Sequence, residues 1–204
     1  MTLIRLMTRW FPLRVVGLAL TLTMVLSACG SEPEWDLRDV SGLLPDLDYE
    51  LERAADGATV TEDAYAGEVR VLFFGFTNCP DICPMTLQKF SQAVRSLEGG
   101  ADEVRVLFVS VDPERDDREK LREYVSAFGD RFVGLRGPEP VLRDLAKRYR
   151  VTFGYGEPDE AGYYDVSHSS AAYIFDREGN IRLLARQDSS IGEIERDLQR
   201  LVGQ

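Results

Sequence analysis

Histidine occurs once in this sequence, at His168, and cysteine three times, at Cys29, Cys79 and Cys83. Whatever chemistry uses imidazole or thiol must use these four positions. Basic residues are also short: 24 Lys and Arg stand against 35 Asp and Glu, for a net charge of −11. That balance excludes the basic face that nucleic-acid binding needs. Lysine is scarce too, at Lys89, Lys120 and Lys147 only, a compositional bias from which no function follows. Long apolar runs are missing. The longest covers twelve residues, 15–26, too few to cross a bilayer as a helix. With 29% charged residues, multiple membrane spans are excluded. There is no internal repeat and no low-complexity tract, and 204 residues suffice for one domain with a substantial core.

The short apolar run has its own meaning. Residues 1–14 carry Arg5, Arg9 and Arg14 and no acid, and the run VVGLALTLTMVL leads into Leu26-Ser27-Ala28-Cys29. A basic start, a short apolar middle and small residues at the exit form an export signal. L-S-A-C resembles the bacterial lipobox, so residues 1–28 are expected to be a lipoprotein-type signal peptide with lipid on Cys29. An ordinary signal peptide and an uncleaved N-terminal anchor are the alternatives. The protein is then expected on the membrane, facing the periplasm or extracytoplasmic space, where disulfides can form. Removing the leader removes three positive charges and makes the chain more acidic.

Residues 29–45 are polar with two prolines and read as a tether, docking through Leu43 and Leu44. Residues 46–204 read as the folded domain. VRVLFFGF (69–76) and VRVLFVSV (104–111) are continuous apolar runs suited to buried central strands. Leu87, Phe90, Val94 and Leu97 recur at helical spacing, as do Leu121, Tyr124, Val125 and Phe128, then Leu142, Leu145, Ala146 and Tyr149, and last Ile191, Ile194, Leu198 and Leu201. Residues 132–135 read as a short strand, and AAYIFD (171–176) and IRLLAR (181–186) as a hairpin turning at 177–180. The order predicts an α/β, thioredoxin-like fold: a mixed central sheet flanked by helices, with an N-terminal β-hairpin extension over residues 47–61.

On that scaffold the segment FTNCPDICP, residues 76–84, follows the first central strand. Pro84 suits the first turn of a helix, so Cys83 is expected near a helix N-terminus, where the dipole favours a thiolate. Three residues between Cys79 and Cys83 allow a disulfide, a redox pair or two ligands of one soft metal ion. Two thiolates alone make an incomplete metal site, and imidazole suits copper and zinc. The sole imidazole, His168, lies just before the strand AAYIFD, in a loop that a thioredoxin fold packs against the cysteine loop. Thioredoxins usually place a cis-proline there, but no proline follows Pro158.

FTNCPDICP, VSVDPERD (109–116) and VSHSSAAYIFD (166–176) together resemble the Sco/SenC family over roughly residues 40–202. That resemblance implies a membrane-anchored, thioredoxin-like copper protein that helps assemble the dinuclear copper centre of cytochrome c oxidase. It implies Cys79, Cys83 and His168 as ligands of one copper ion, Cu(I) or Cu(II). Asp81 matches the acid inside the family's cysteine loop. Asp112 matches the acid of its VDP segment, either supporting the ligands or capping the following helix. The implied partner is the copper-bearing oxidase subunit, along with other periplasmic copper chaperones or thioredoxin-like reductants, and no nucleic acid. One departure stands out: Ser167 replaces the family's usual Asp before the histidine, with Asp165 two residues away.

The same resemblance carries two further readings. Cys79 and Cys83 can act as a thiol–disulfide reductase on the oxidase subunit's cysteines, the more exposed Cys79 attacking and the other resolving, or the protein can sense copper or redox state. A peroxidase reading fails, because the peroxiredoxin pattern Pro-x-x-x-[Ser/Thr]-x-x-Cys is absent.

Overall fold

The computed structural model describes residues 34–204. The expected leader, residues 1–28, and Cys29 lie outside the described residues. Among the described residues no helix is long and apolar enough to cross a membrane.

The two apolar runs form the centre of the molecule. Val69–Gly75 is strand β4, buried at every residue, and Val104–Ser110 is β5, parallel to it in an unbroken register from Val69↔Val104 to Gly75↔Ser110. Phe132–Arg136 forms β6, parallel to β5. Ala172–Phe175 (β9) lies antiparallel to β4 on its other side, and Ile181–Ala185 (β10) pairs antiparallel with β9. Glu50–Arg53 (β2) and Thr59–Thr61 (β3) are the expected N-terminal hairpin, joined to β6. With Arg38–Asp39 (β1) at the far edge, the eight-stranded sheet has the order β1-β10-β9-β4-β5-β6-β2-β3.

Four helices cover this sheet: α1 (Ile82–Ser96), α2 (Arg118–Ser126), α3 (Glu139–Arg148) and α4 (Ile191–Val202). Alternation along β4 sorts the two cores. Val69, Val71 and Phe73 face Leu87 and Phe90 of α1, Leu121 of α2 and Leu198 of α4. Leu72 and Phe74 face Leu142 and Leu145 of α3 and Leu51 of the hairpin. Each such buried side chain contributes roughly 1.5–3 kcal/mol of burial. A capping box, Ser190 with Glu193, starts α4. Gly179, at φ +90°, allows the tight turn into β10, where most side chains would be strained.

Of the tether expected over residues 29–45, residues 29–33 lie outside the described residues and the rest docks on the sheet. Leu37 and Val40 are buried, while Leu43 is 60% exposed. Buried Asp197 of α4 accepts the Leu37 amide at 2.7 Å, and β1 pairs with β10. Leu44 packs against the second core as expected, and Trp35 packs against the first beside Leu37.

A second, two-stranded sheet pairs Phe153–Tyr155 (β7) with Val166–His168 (β8). The residues around His168, expected to be loop, are therefore partly strand.

Candidate metal centre

The site sits where three segments meet at one end of the central strands. The cysteine loop leaves the C-terminal end of β4, and VDPERD leaves the same end of parallel β5. Strand β9 runs the opposite way, with Ala172 opposite Phe73 near that end of β4. His168, four residues before Ala172, is thereby delivered to the cysteines. One ligand atom from each of Cys79, Cys83 and His168 lies within 4.8 Å of the others, the sole group of this kind among the described residues.

Both cysteines are free thiols. Cys83 is the second residue of α1 and is fully buried, while Cys79 is half-buried. The Cys83 amide donates to the Cys79 sulfur at 3.4 Å. The Cys83 sulfur lies 3.2 Å from His168 Nε2. The helix N-terminus was expected to favour a Cys83 thiolate, but burial wins and raises the thiol's pKa well above its ordinary value. A metal taken up here must displace that proton.

The imidazole is oriented without an acid. His168 Nδ1 lies 2.9 Å from the Ser169 carbonyl. A carbonyl only accepts, so Nδ1 carries the hydrogen and the Nε2 lone pair faces Cys83. Burial keeps the ring neutral by lowering its pKa. Phe73 and Phe76 hold it edge-on, at centroid distances of 6.1 and 5.7 Å. Ser169 is anchored in turn through its amide to the Thr152 carbonyl. The Ser169 carbonyl thus orients the ring, while Ser167 is exposed and its hydroxyl turns to the Gly154 carbonyl. Asp165 is exposed, and its backbone carbonyl bonds Gly156.

Two sulfurs and an imidazole nitrogen are a soft donor set that suits copper and is less suited to Mg²⁺ or Ca²⁺. A buried thiol beside a neutral, pre-oriented imidazole fits such an ion.

The acids fall differently from expectation. Asp81 is the N-cap residue of α1, but its exposed carboxylate makes no cap bond. Asp112 is fully buried and does not cap α2; Asp117 does, accepting from the Lys120 amide. Asp112 instead takes Arg115 Nε at 2.6 Å and the Tyr164 hydroxyl at 2.7 Å. Arg115 also donates to the Tyr164 carbonyl and lies 3.8 Å from that ring. Burial is the largest single influence and opposes its charge, but the bond to Asp112, the charge of Asp112 and the neighbouring Tyr164 and Tyr163 together outweigh it and raise its pKa. Burial, with the bond to Asp112, pushes the Tyr164 hydroxyl up to about 12.

Two contributors were not singled out from sequence. Asp116, fully buried, accepts the Thr77 amide and hydroxyl and the Ser110 hydroxyl, pinning the loop two residues before Cys79. Its signal was a second acid one helical turn after Asp112. Gly75 ends β4, and a Cβ there would lie 2.8 Å from Cys83 Sγ and 2.6 Å from Phe108 Cε2. Gly75→Ala is expected to cost about 1–3 kcal/mol through overpacking; a denaturant midpoint within error of wild type would refute this.

The sequence pattern of the SCO1/SenC family matches residues 46–203. The chain belongs to the SCO1/SenC family. Human "Protein SCO2 homolog, mitochondrial" is 42% identical over 117 residues, covering 56% of this chain and 44% of that protein. A SCO2-like protein of Rickettsia conorii is 33% identical over 68% of both chains. The crystal structure of Arabidopsis thaliana ScoI with copper bound superposes with a TM-score of 0.71 at 31% identity, covering 78% of this chain and 98% of that one. This SCO1/SenC chain spans less than half the length of the human SCO2 relative it matches.

Proposed function

We propose that this protein binds one copper ion through Cys79, Cys83 and His168 and delivers it during assembly of the dinuclear copper centre of cytochrome c oxidase. The convergence of two thiols and the sole imidazole within 4.8 Å carries the reading. Its membership of the SCO1/SenC family, and its likeness to a ScoI solved with copper bound, support it. Three protein donors leave a coordination position for a ligand from a partner, which suits transfer better than permanent storage. The partner is the copper-bearing oxidase subunit. In this reading Cys29 carries the lipid, residues 1–28 are removed, and the domain faces the periplasm. Asp112 acts at a distance, through Arg115 and Tyr164, on the segment that carries His168.

Thiol–disulfide reduction is the second reading. It is favoured by the exposure of the Cys79 sulfur, which accepts the Cys83 amide at 3.4 Å beside the buried Cys83 thiol.

His168→Ala separates the two. Its copper affinity is expected to fall by more than the roughly 10- to 100-fold seen when only a site's supporting contacts are lost, while Cys79 and Cys83 stay reducible and oxidisable. Copper-centre assembly in cells carrying only this variant should fail. Normal assembly there, with Cys83→Ala failing, would overturn delivery in favour of the reductase.

A further inference from the structure

Arg143, Lys147 and Arg150 line a groove of roughly 430 Å³ beside α3, together with Ala146, Val151 and Phe153. The chain is acidic, and nearly all its described cations are paired. Arg143 pairs with Glu139 at 2.6 Å and lies 4.7 Å from the Phe153 ring. Among the described basic residues, Arg38, Lys147 and Arg150 alone have neither an ion pair nor a side-chain hydrogen bond. Two of these unpaired cations, both exposed, thus share the groove.

Arg150 also stands where the backbone favours glycine. It follows Tyr149, the C-cap of α3, at φ 56°, and every other positive φ among the described residues belongs to a glycine. The Arg150 amide donates to the Lys147 carbonyl at 3.1 Å, and the Val151 amide to the Ala146 carbonyl at 2.8 Å. Those two bonds make the Schellman helix ending, whose left-handed residue is usually glycine. An arginine kept against that preference points to a use for its side chain. Lys147, in the last turn, already complements the helix dipole.

We propose that this groove docks an acidic segment of a partner protein. Its carboxylates meet Lys147 and Arg150, and an apolar side chain lies against Ala146, Val151 and Phe153. Charge selects that occupant. With a net charge of −11, the groove is a small cationic spot on an acidic chain. An anionic membrane would also meet the carboxylates around it, such as exposed Asp144 on the same helix; a short segment meets the groove alone. The groove adjoins the ribbon that carries His168. Phe153 pairs with His168 across β7 and β8, and the Thr152 carbonyl takes the Ser169 amide. A docked segment therefore lies one strand from the metal site, without using its ligands.

The proposal stands whether or not the cargo is copper. The peptide Glu-Glu-Leu-Glu-Glu, titrated into the isotope-labelled protein and followed by amide resonances, tests it. Shifts should cluster on residues 143–153 and shrink as salt is added. Arg150→Gly and Lys147→Gln should each weaken the peptide about two- to fivefold, the scale of one exposed ion pair. Arg150→Gly should hold or raise the melting temperature, because glycine suits this backbone. Copper affinity should match wild type in both variants. Peptide affinity unchanged in both would overturn the proposal, as would equal binding of the neutral peptide Gln-Gln-Leu-Gln-Gln. Phosphatidylglycerol vesicles that shift these amides when the peptide does not would overturn it in favour of a membrane contact. A lower melting temperature for Arg150→Gly, with peptide binding intact, would assign the arginine to the helix end and overturn its docking role.

Discussion

Cys83→Ser should abolish copper retention, lowering affinity by about a thousandfold or more, ~4 kcal/mol. The substitution changes one atom, so its effect isolates the sulfur. Cys83 has no exposure, and its sulfur stands 3.2 Å from His168 Nε2 and against the Gly75 backbone. A serine oxygen fits that space. It is, however, a hard donor whose proton is far harder to displace than a thiol's, and burial has already made proton loss costly at this position. The remaining pair, Cys79 of the loop after β4 and His168 at the end of β8, comes from separate segments and has no covalent link to hold it. The fold should survive, because the core around Phe73, Phe90 and Phe108 is untouched. Chelator competition on the reduced protein measures the loss, and circular dichroism checks the fold. Copper affinity within threefold of wild type would remove Cys83 from the ligand set and with it the copper reading.

Much of this was legible in the residues. The runs at 69–76 and 104–111 became β4 and β5 because a strand buried on both faces admits only apolar side chains, and few other elements do. The helix stripes beginning at Leu87 and Ile191 stood out for the equivalent reason at period 3.6. The cysteine spacing and the lone histidine singled themselves out by scarcity. What stayed hidden lacks a side-chain signature. Strands β7 and β8 have three residues each, too few for an alternation to register. The Ser169 carbonyl orients His168 as a backbone group, which any residue could supply. Cys83 was expected to be charged because helix position is readable from sequence, whereas burial on all sides is not. Leu37 and Val40 were overlooked within a polar stretch whose average suggested a tether. Asp116 was quoted within VDPERD, but only the turn from Asp112 to Asp116 shows that the two acids serve different loops.

That division of labour gives the second large effect. Asp116→Ala should destabilise the domain by about 3–5 kcal/mol, the range for breaking a buried charged network by removing one partner. At this chain length that lowers the melting temperature by roughly 6–20 °C. Three donors lose their acceptor at once: the Thr77 amide at 2.9 Å, the Thr77 hydroxyl at 2.5 Å and the Ser110 hydroxyl at 2.6 Å. Lys120, 3.8 Å from the carboxylate, also loses its ion pair, but it is 39% exposed and water replaces most of that. Thr77 lies two residues before Cys79, so the loss should reach the metal site as well as the fold, weakening copper binding about 10- to 100-fold in the protein that remains folded. Asp116→Asn keeps the size but turns one acceptor into a donor facing a donor, so it should recover only part of the stability. Tyr164→Phe, at the Asp112 end of the same segment, should disturb the His168 side of the site and leave the Thr77 contacts intact. If Asp116→Ala melts within 2 °C of wild type, the carboxylate does not hold the cysteine loop. The cysteines would then owe their placement to the strand and helix alone.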